Sequence, residues 1–161
     1  MGVLDKLFLR YPTNFWGDGQ VVSWAAARPG AWTEWANYEP IAGVPILCGF
    51  NAGRAATALK RWSEADIVAA GHAVLRTIFG GGIPSPSGYV VTRWMDNPFS
   101  FGAYAHVPPG RTTDDYATLA EPVGSRVFLA GEHTHADYPN TVHGAYRTGV
   151  RAATQVRAAV E

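Results

Sequence analysis

Glu132 and Thr141 lie in the part of the sequence whose residue types and spacing could bind an electron-rich group. Residues 126–153 read RVFLAGEHTHADYPNTVHGAYRTGVRAA. The pattern predicts a short buried strand over 127–130, an acidic turn, a polar loop and a helix that starts near Thr141. Thr141 can cap this helix. The free backbone N–H groups of its first turn, from Val142 onward, and the positive end of its dipole suit an electron-rich or anionic ring edge.

These residues resemble the C-terminal FAD-binding motif of the flavin-containing amine oxidases, which include polyamine oxidases, monoamine oxidases and lysine-specific histone demethylases. The shared features are a strand, an Ala-Gly-Glu run ending at Glu132, a YP-x-TVHGA run and a helix. The resemblance implies that Gly131 and Glu132 lie at FAD, with Glu132 hydrogen-bonded to its ribityl or diphosphate part. It implies that the N–H near Val142 faces the flavin pyrimidine carbonyl. It also implies noncovalent FAD, because Gly102 and Ala103 occupy the region where monoamine oxidases carry a flavin-bonded cysteine.

Lys6 is another candidate functional residue and lies in the N-terminal run MGVLDKLFLRYPTNFW. This run alternates like a strand and ends at Pro12. It resembles the lysine-bearing strand of the same family, which implies that Lys6 holds a water molecule against flavin N5. From the residues alone, an ordinary edge-strand lysine is the alternative, since lysine at a sheet edge is a common protection against aggregation.

An aromatic slot is expected around Tyr104. The run MDNPFSFGAYAHVPPG, which follows Trp94, resembles the family segment that places a tryptophan near the flavin and a tyrosine as one wall of a slot before it. The resemblance assigns these roles to Trp94 and Tyr104, with Thr141 as the second wall, as in the histone demethylase pattern. An aromatic face attracts a cationic amine by about 0.5–2 kcal/mol. A core tyrosine is the alternative for Tyr104. The sequence does not indicate which amine is preferred.

Composition excludes several other classes of function. Thirteen basic and thirteen acidic residues give zero net charge without a Lys/Arg block, so a nucleic-acid partner is not expected. No apolar run approaches the length of a membrane span. Cys48 is the single cysteine and fits a reducing compartment, and the N-terminus lacks a secretory signal pattern, so a cytoplasmic location is expected. His133, His135 and His143 lack metal-ligand spacing, so no metal is expected.

An α+β fold is predicted. Strand patterns place a mixed or antiparallel sheet over 6–11, 21–50 and 89–94, with a turn at Pro29 and Gly30. Ser63 caps a helix predicted to run to residue 79 and to pack on the sheet. Aromatic positions in the sheet could line a cavity or belong to the core; they are Trp24, Trp32, Trp35 and Tyr38.

Half of the family's FAD site is expected to be missing from this sequence. A dinucleotide-binding domain needs a βαβ unit with G-x-G-x-x-G, and no such motif is present. The resemblance therefore assigns residues 1–125 to part of a substrate-binding domain and 126–161 to the segment that completes an FAD-binding domain. A companion chain carrying the glycine-rich half, or self-association through 127–156, is expected to cover the apolar strand and helix.

Two functions follow from these observations. The first is the C-terminal portion of an FAD-dependent amine oxidase, in which an amine gives a hydride to flavin N5, the imine hydrolyses and oxygen is converted to peroxide. The alternative is a noncatalytic binding or oligomerisation module that keeps the fold without FAD. The missing glycine-rich half favours the alternative for the isolated chain, which is expected to bind FAD weakly or not at all.

Overall fold

The computed structural model describes residues 1–25 and 31–161. The predicted turn at Pro29 and Gly30 lies outside the described residues. The elements, in chain order, are β1 (Leu4–Arg10), β2 (Val21–Ser23), β3 (Ala31–Asn37), α1 (Glu39–Ala42), β4 (Ile46–Ala52), α2 (Gly53–Leu59), α3 (Glu64–Phe79), β5 (Gly88–Val91), α4 (Asp114–Ala120), a 3-10 turn (Glu132–Thr134) and α5 (Val142–Val160).

The five described strands form one antiparallel sheet with the order β2-β3-β4-β1-β5. The α+β class and the placement of the sheet are therefore confirmed. β1 lies inside the sheet, paired with β4 on one side and β5 on the other. None of the described helices combines the length and apolar character needed to span a lipid bilayer.

One face of the sheet packs against α3. Alternation along β1 turns Leu7 and Leu9 into the core, where both are fully buried. Trp35 of β3 is also fully buried, and its ring stacks on Trp32 with centroids 5.6 Å apart. These two aromatic residues therefore belong to the core. The close packing depends on Gly71 of α3, because a Cβ there would collide with the Leu7 side chain.

The start of α3 has the predicted capping arrangement. Ser63 Oγ accepts a hydrogen bond from Asp66 N at 3.1 Å and donates one to Asp66 Oδ2 at 2.6 Å. The helix then buries Ile67, Gly71 and Leu75 on one face. A capping bond of this kind stabilises a helix by about 1 kcal/mol, so local sequence signals set this boundary.

The chain divides into two compact units. One comprises 3–103, and the other comprises 1–2 with 104–161. In the second unit, α5 and α4 each contact the 3-10 turn. The buried face of α5 consists of small residues, Gly144, Thr148 and Ala152. The assignment of 1–125 and 126–161 to two functional domains stays a prediction.

The predicted buried strand over 127–130 is wrong. Val127 makes only an isolated bridge to Val123, and the Val127 and Leu129 side chains are 48% and 38% exposed. A strand gains stability from ladder partners, and none of the described strands pairs with this segment. The apolar run VFLA therefore lacks the parallel neighbours that its composition suggested.

Candidate functional site

Thr141 caps α5 as predicted. Its backbone is extended, and its Oγ1 accepts a hydrogen bond from Gly144 N at 3.0 Å and donates one to Tyr138 O at 2.8 Å. A Cβ on Gly144 would collide with Tyr138 O. Glycine at 144 therefore permits the loop to turn tightly into the helix, and the cap fixes where the first helical N–H groups point.

The first turn of α5 leaves backbone donors free. Among the described residues, the N–H groups of Val142 and His143 have no hydrogen-bond partner, whereas Gly144 N–H is taken by the cap. The Val142 side chain is 88% exposed. Two unpaired donors at the positive end of a helix dipole suit an electron-rich acceptor.

Glu132 holds two loops in the same unit. Its Oε1 accepts from Ala105 N at 2.9 Å, and its Oε2 accepts from Asn140 N at 3.0 Å. Tyr116 of α4 lies close by, and burial of its hydroxyl together with the negative charge of Glu132 raises the pKa of Tyr116 above its usual value. Oε1 keeps further lone-pair capacity, so Glu132 can accept another hydroxyl donor.

Gly131 is fastened directly to α5. Its N–H donates to Thr148 Oγ1 at 3.0 Å, and Thr148 Oγ1 lies 3.0 Å from Gly131 O. Gly131 has φ of 140°, a region that favours glycine, and a Cβ there would lie 2.5 Å from His133 Cε1. The turn before Glu132 therefore requires glycine and has a fixed distance from the helix.

Arg151 of α5 fastens the other side of this turn. Its guanidinium donates to Thr134 O at 2.9 Å and to Leu129 O at 2.6 Å. Thr134 is almost fully buried. Because the guanidinium fork presents several donors in one plane, a single side chain holds both ends of the turn that carries Glu132.

Tyr104 lies at the start of the C-terminal unit. It forms an isolated antiparallel bridge with Gly2, and its side chain is 36% exposed. The slot role of Tyr104 and the core-tyrosine alternative both stay predictions. The next residue, Ala105, is the one that Glu132 holds, so the Tyr104 backbone is anchored while part of its ring stays accessible.

Lys6 does not lie on an edge strand, because β1 pairs on both sides. The edge-strand alternative is therefore wrong. Lys6 is opposite Phe50 across the β1–β4 pair, with Nζ 5.7 Å from the Phe50 ring centroid. Its side chain is on the sheet face opposite the buried Leu7. An interior strand gives the lysine a fixed backbone position.

Trp94 is held by the strand that carries Lys6. Its N–H donates to Asp5 Oδ1 at 3.0 Å, and Thr92 Oγ1 donates to the same oxygen at 3.3 Å. Thr92 Oγ1 in turn accepts from Lys6 N at 2.7 Å. The buried Asp5 carboxylate therefore links the Trp94 and Lys6 backbones within one unit. The Trp94 side chain is 43% exposed.

A small cavity lies beside these residues. Its volume is about 10 Å³, and its lining includes Asp5, Lys6, Thr92 and Asp96. That volume is about what one water molecule requires.

One histidine of the C-terminal loop and one of α5 flank an aromatic ring. His135 and His143 lie 5.1 Å and 4.8 Å from the Tyr138 ring, centroid to centroid, and Arg147 lies over the same ring at 5.3 Å. Across the residues that the structure describes, no group of three or more His, Cys, Asp or Glu side chains could hold a metal ion. This cluster orders the loop before α5.

Comparison with known proteins identifies the family. The family model for flavin containing amine oxidoreductases matches residues 1–157. The chain belongs to this family. It is 38% identical over 161 residues to lysine-specific histone demethylase 1 homolog 3 of Arabidopsis thaliana, covering 96% of this chain and 10% of that protein. It is 38% identical to lysine-specific histone demethylase 1 homolog 1 of Oryza sativa subsp. japonica, covering 98% of this chain and 20% of that protein.

Solved amine oxidases share the fold. A putrescine oxidase structure with bound putrescine matches with a TM-score of 0.79 and 24% identity, covering 97% of this chain and 35% of that one. Cyclohexylamine oxidase from Brevibacterium oxydans IH-35A matches with a TM-score of 0.71 and 22% identity, covering 100% of this chain and 36% of that one. The chain thus spans a tenth to a fifth of those two curated relatives and about a third of these structures.

The flavin of this amine oxidoreductase family fits the residues present. Free donors at Val142 and His143 suit the electron-rich edge of a flavin ring, and the glycine at 131 leaves the turn before Glu132 without a side chain. The FAD predicted from the sequence agrees with the flavin-containing family. Gly131, Glu132, Thr141, Val142 and Tyr104 all lie in the C-terminal unit, and Lys6 and Trp94 lie in the other.

Four residues that shape these sites were missed by sequence reasoning. They are Asp5, Thr92, Thr148 and Arg151. Thr148 and Arg151 carried a detectable signal, which is helical spacing: they lie one and two turns after Gly144 and so share its side of the helix. The buried face of α5 is made of small residues, and the apolar residues do not mark it. Asp5 carried none, because its partner Trp94 is 89 residues away.

Proposed function

We propose that the chain supplies the C-terminal part of an FAD-dependent amine oxidase. The observation that carries this proposal is the arrangement around α5, where free N–H groups of the first turn follow a loop held by Glu132. The family match over 1–157 gives that arrangement its chemical context. The roles of Lys6, Trp94, Tyr104, Gly131, Glu132, Thr141 and Val142 are part of the proposal.

In this scheme the chain's residues bind the cofactor, orient the amine and stabilise charge at the edge of the flavin ring. FAD, when bound, supplies the acceptor for a hydride from the amine α-carbon, and oxygen then yields peroxide while the imine hydrolyses. The donors at Val142 and His143 stabilise negative charge at the ring edge by about 0.3–2 kcal/mol. Glu132 accepts from a cofactor hydroxyl, Tyr104 orients the amine, and Lys6 holds a water molecule. Trp94 packs near the ring.

The substrate is proposed only as an amine. The relatives are named as lysine-specific histone demethylases, and the matching structures are a putrescine oxidase and a cyclohexylamine oxidase. Thr141 as the second wall of the slot leaves room for a larger group than an aromatic wall would. Binding of nucleic acid or membrane is not part of the proposal, and a cytoplasmic location stays a prediction that cell fractionation would test.

A noncatalytic binding or oligomerisation module is the second candidate. One observation favours it, namely the exposed apolar residues of α5, of which Val142 and Tyr146 are 88% and 73% exposed. A surface of this kind calls for a partner. The sequence also lacks the G-x-G-x-x-G that binds the pyrophosphate of FAD. This candidate retains the fold and needs no flavin.

Flavin binding separates the two candidates. The purified chain would be titrated with FAD, alone and together with a companion polypeptide carrying the glycine-rich half of an amine oxidase, and flavin fluorescence would be followed. The proposal predicts weak or undetectable binding to the chain alone and binding at micromolar FAD or tighter in the mixture. Reduction of the bound flavin by putrescine under anaerobic conditions would then support oxidase function. A well-formed complex that never retains FAD would favour the noncatalytic module.

A further inference from the structure

Asn140 has an unusual backbone conformation directly before the α5 cap. Its φ is 62°, in the left-handed region that asparagine tolerates better than most residues. Its side-chain amide faces two acceptors. With the amide nitrogen turned toward them, Nδ2 lies 3.2 Å from Glu132 Oε2 and 2.6 Å from Ala105 O. The side chain therefore joins two segments that are distant in sequence.

Glu132 joins the same two segments through backbone donors. Its two oxygens accept from Ala105 N at 2.9 Å and from Asn140 N at 3.0 Å. Ala105 is buried, with 6% of its surface exposed. Both polar backbone groups of Ala105 are thus satisfied, one by Glu132 and one by Asn140. We call this set of three residues, Ala105, Glu132 and Asn140, the Asn140 clamp.

The Asn140 clamp joins the chain neighbours of the two residues assigned to the walls of the amine slot. Tyr104 is the neighbour of Ala105, and Thr141 is the neighbour of Asn140. We infer that Asn140 is a positioning residue that sets the separation of Tyr104 and Thr141, and with it the shape of the slot. This inference rests on the proposed function for the roles of the two walls.

The chemistry of the position favours asparagine. Glycine would adopt the same φ but would leave Ala105 O and Glu132 Oε2 without their common donor. Aspartate would have a similar shape but would place a carboxylate oxygen against two acceptors. Alanine would lack the donor and be strained at positive φ. Only an amide side chain combines the backbone conformation with the donor.

Hydrogen exchange in the full chain, followed by NMR, tests the clamp without any ligand. Asn140→Gly keeps the backbone conformation and removes the donor, and Asn97→Gly is the control in an exposed loop of the other unit. We expect Ala105 amide exchange to rise about five- to tenfold in Asn140→Gly, the effect of weakening one hydrogen bond. Exchange at Thr148 and in the rest of α5 should not change. An unchanged Ala105, or an equal rise throughout α5, would overturn the clamp.

Asn140→Asp adds a pH profile that a purely structural residue would not produce. At pH 7 the introduced carboxylate opposes Glu132, so Ala105 exchange should rise more than in Asn140→Gly. As the pH falls toward about 4, protonation of the introduced aspartate restores a donor, and the excess over the wild-type chain should shrink. A pH-independent excess would contradict the donor role.

Putrescine added to the chain completed with FAD and the glycine-rich half of an amine oxidase, and followed at the Tyr104 ring signals, tests the connection to the slot. Asn140→Gly should weaken the putrescine-induced shift at Tyr104 severalfold, whereas Asn97→Gly should leave it unchanged. A wild-type chain that shows the expected exchange but no putrescine shift at Tyr104 would overturn the slot assignment and the proposed amine binding while retaining the clamp. The two failures are therefore distinguishable.

Discussion

Lys6 and Phe50 lie directly opposite each other in the β1–β4 pair, and the lysine Nζ is 5.7 Å from the centre of the phenylalanine ring. The ammonium group thus lies over the Phe50 ring, and Lys6 as a residue is half-buried in the sheet. A cation over an aromatic ring contributes about 0.5–2 kcal/mol. A charge held in this way can orient a water molecule, which is the role proposed for Lys6.

Lys6→Met should separate a reaction role from a stability role. In an enzyme completed with FAD and the glycine-rich half, the variant should slow flavin reduction or reoxidation on the order of tenfold or more with little change in amine binding, because it acts on the reaction step. Rapid-mixing absorbance at the flavin band measures both steps. Arg54→Met is the control, since Arg54 is exposed and does not line the cavity beside Lys6. Unchanged flavin kinetics would restrict Lys6 to packing.

Gly71→Ala should destabilise the first unit by about 1–3 kcal/mol through overpacking. The added Cβ would collide with Leu7 and lie 3.2 Å from the Trp35 ring. This penalty exceeds the gain of about 1 kcal/mol that alanine brings to a helix. Urea unfolding followed by tryptophan fluorescence measures the loss. Gly82→Ala is the control, because a Cβ there meets nothing within 4 Å, and its effect should stay within about 0.5 kcal/mol.

His72 should make the first unit sensitive to acid. Its Nδ1 lies 3.0 Å from Tyr11 Oη. Burial of the ring is the larger cause that lowers the pKa of His72, and the positive charge of Arg76 is the smaller one. The neutral ring is therefore preferred in the folded state. The contribution of the neutral ring to the free energy of unfolding is complete above the unfolded pKa of about 6.5, and it is lost as the pH falls through the lower pKa of the folded state. The melting temperature should fall between pH 7.5 and 5 more steeply for the wild-type chain than for His72→Gln; equal slopes would contradict this origin.

Local signals predicted the first unit well. Alternation of Leu7 and Leu9 and the Ser63 cap each depend on residues close in sequence, and the structure contains both features. The segment 127–130 failed for a physical reason, since a strand needs a partner and its apolar composition cannot supply one. The Asp5 link to Trp94 and the Asn140 clamp also escaped prediction, because contacts across 89 and 35 residues follow from tertiary packing.

The exposed face of α5 gives the last prediction. Val142, Tyr146 and Val150 recur every four residues, so they share one side of the helix, and their side chains are 88%, 73% and 53% exposed. The strand predicted over 127–130 was expected to be part of this apolar surface, but it is not formed. The surface therefore consists mainly of α5. Exposed apolar area arranged in a continuous stripe promotes association. We therefore expect the isolated chain to form a dimer through α5.

A charge placed in the stripe should prevent this association. Tyr146→Asp should raise the dimer dissociation constant about tenfold or more, because an aspartate would be desolvated in the contact. Ala158→Asp is the control: it adds the same charge on a neighbouring side of the exposed helix and should leave the dissociation constant unchanged. Light scattering over a concentration series, with and without FAD, measures the association. If the wild-type chain stays monomeric and binds FAD at micromolar concentration or tighter, the 161 residues complete a flavin site by themselves, and the need for a companion glycine-rich half is refuted.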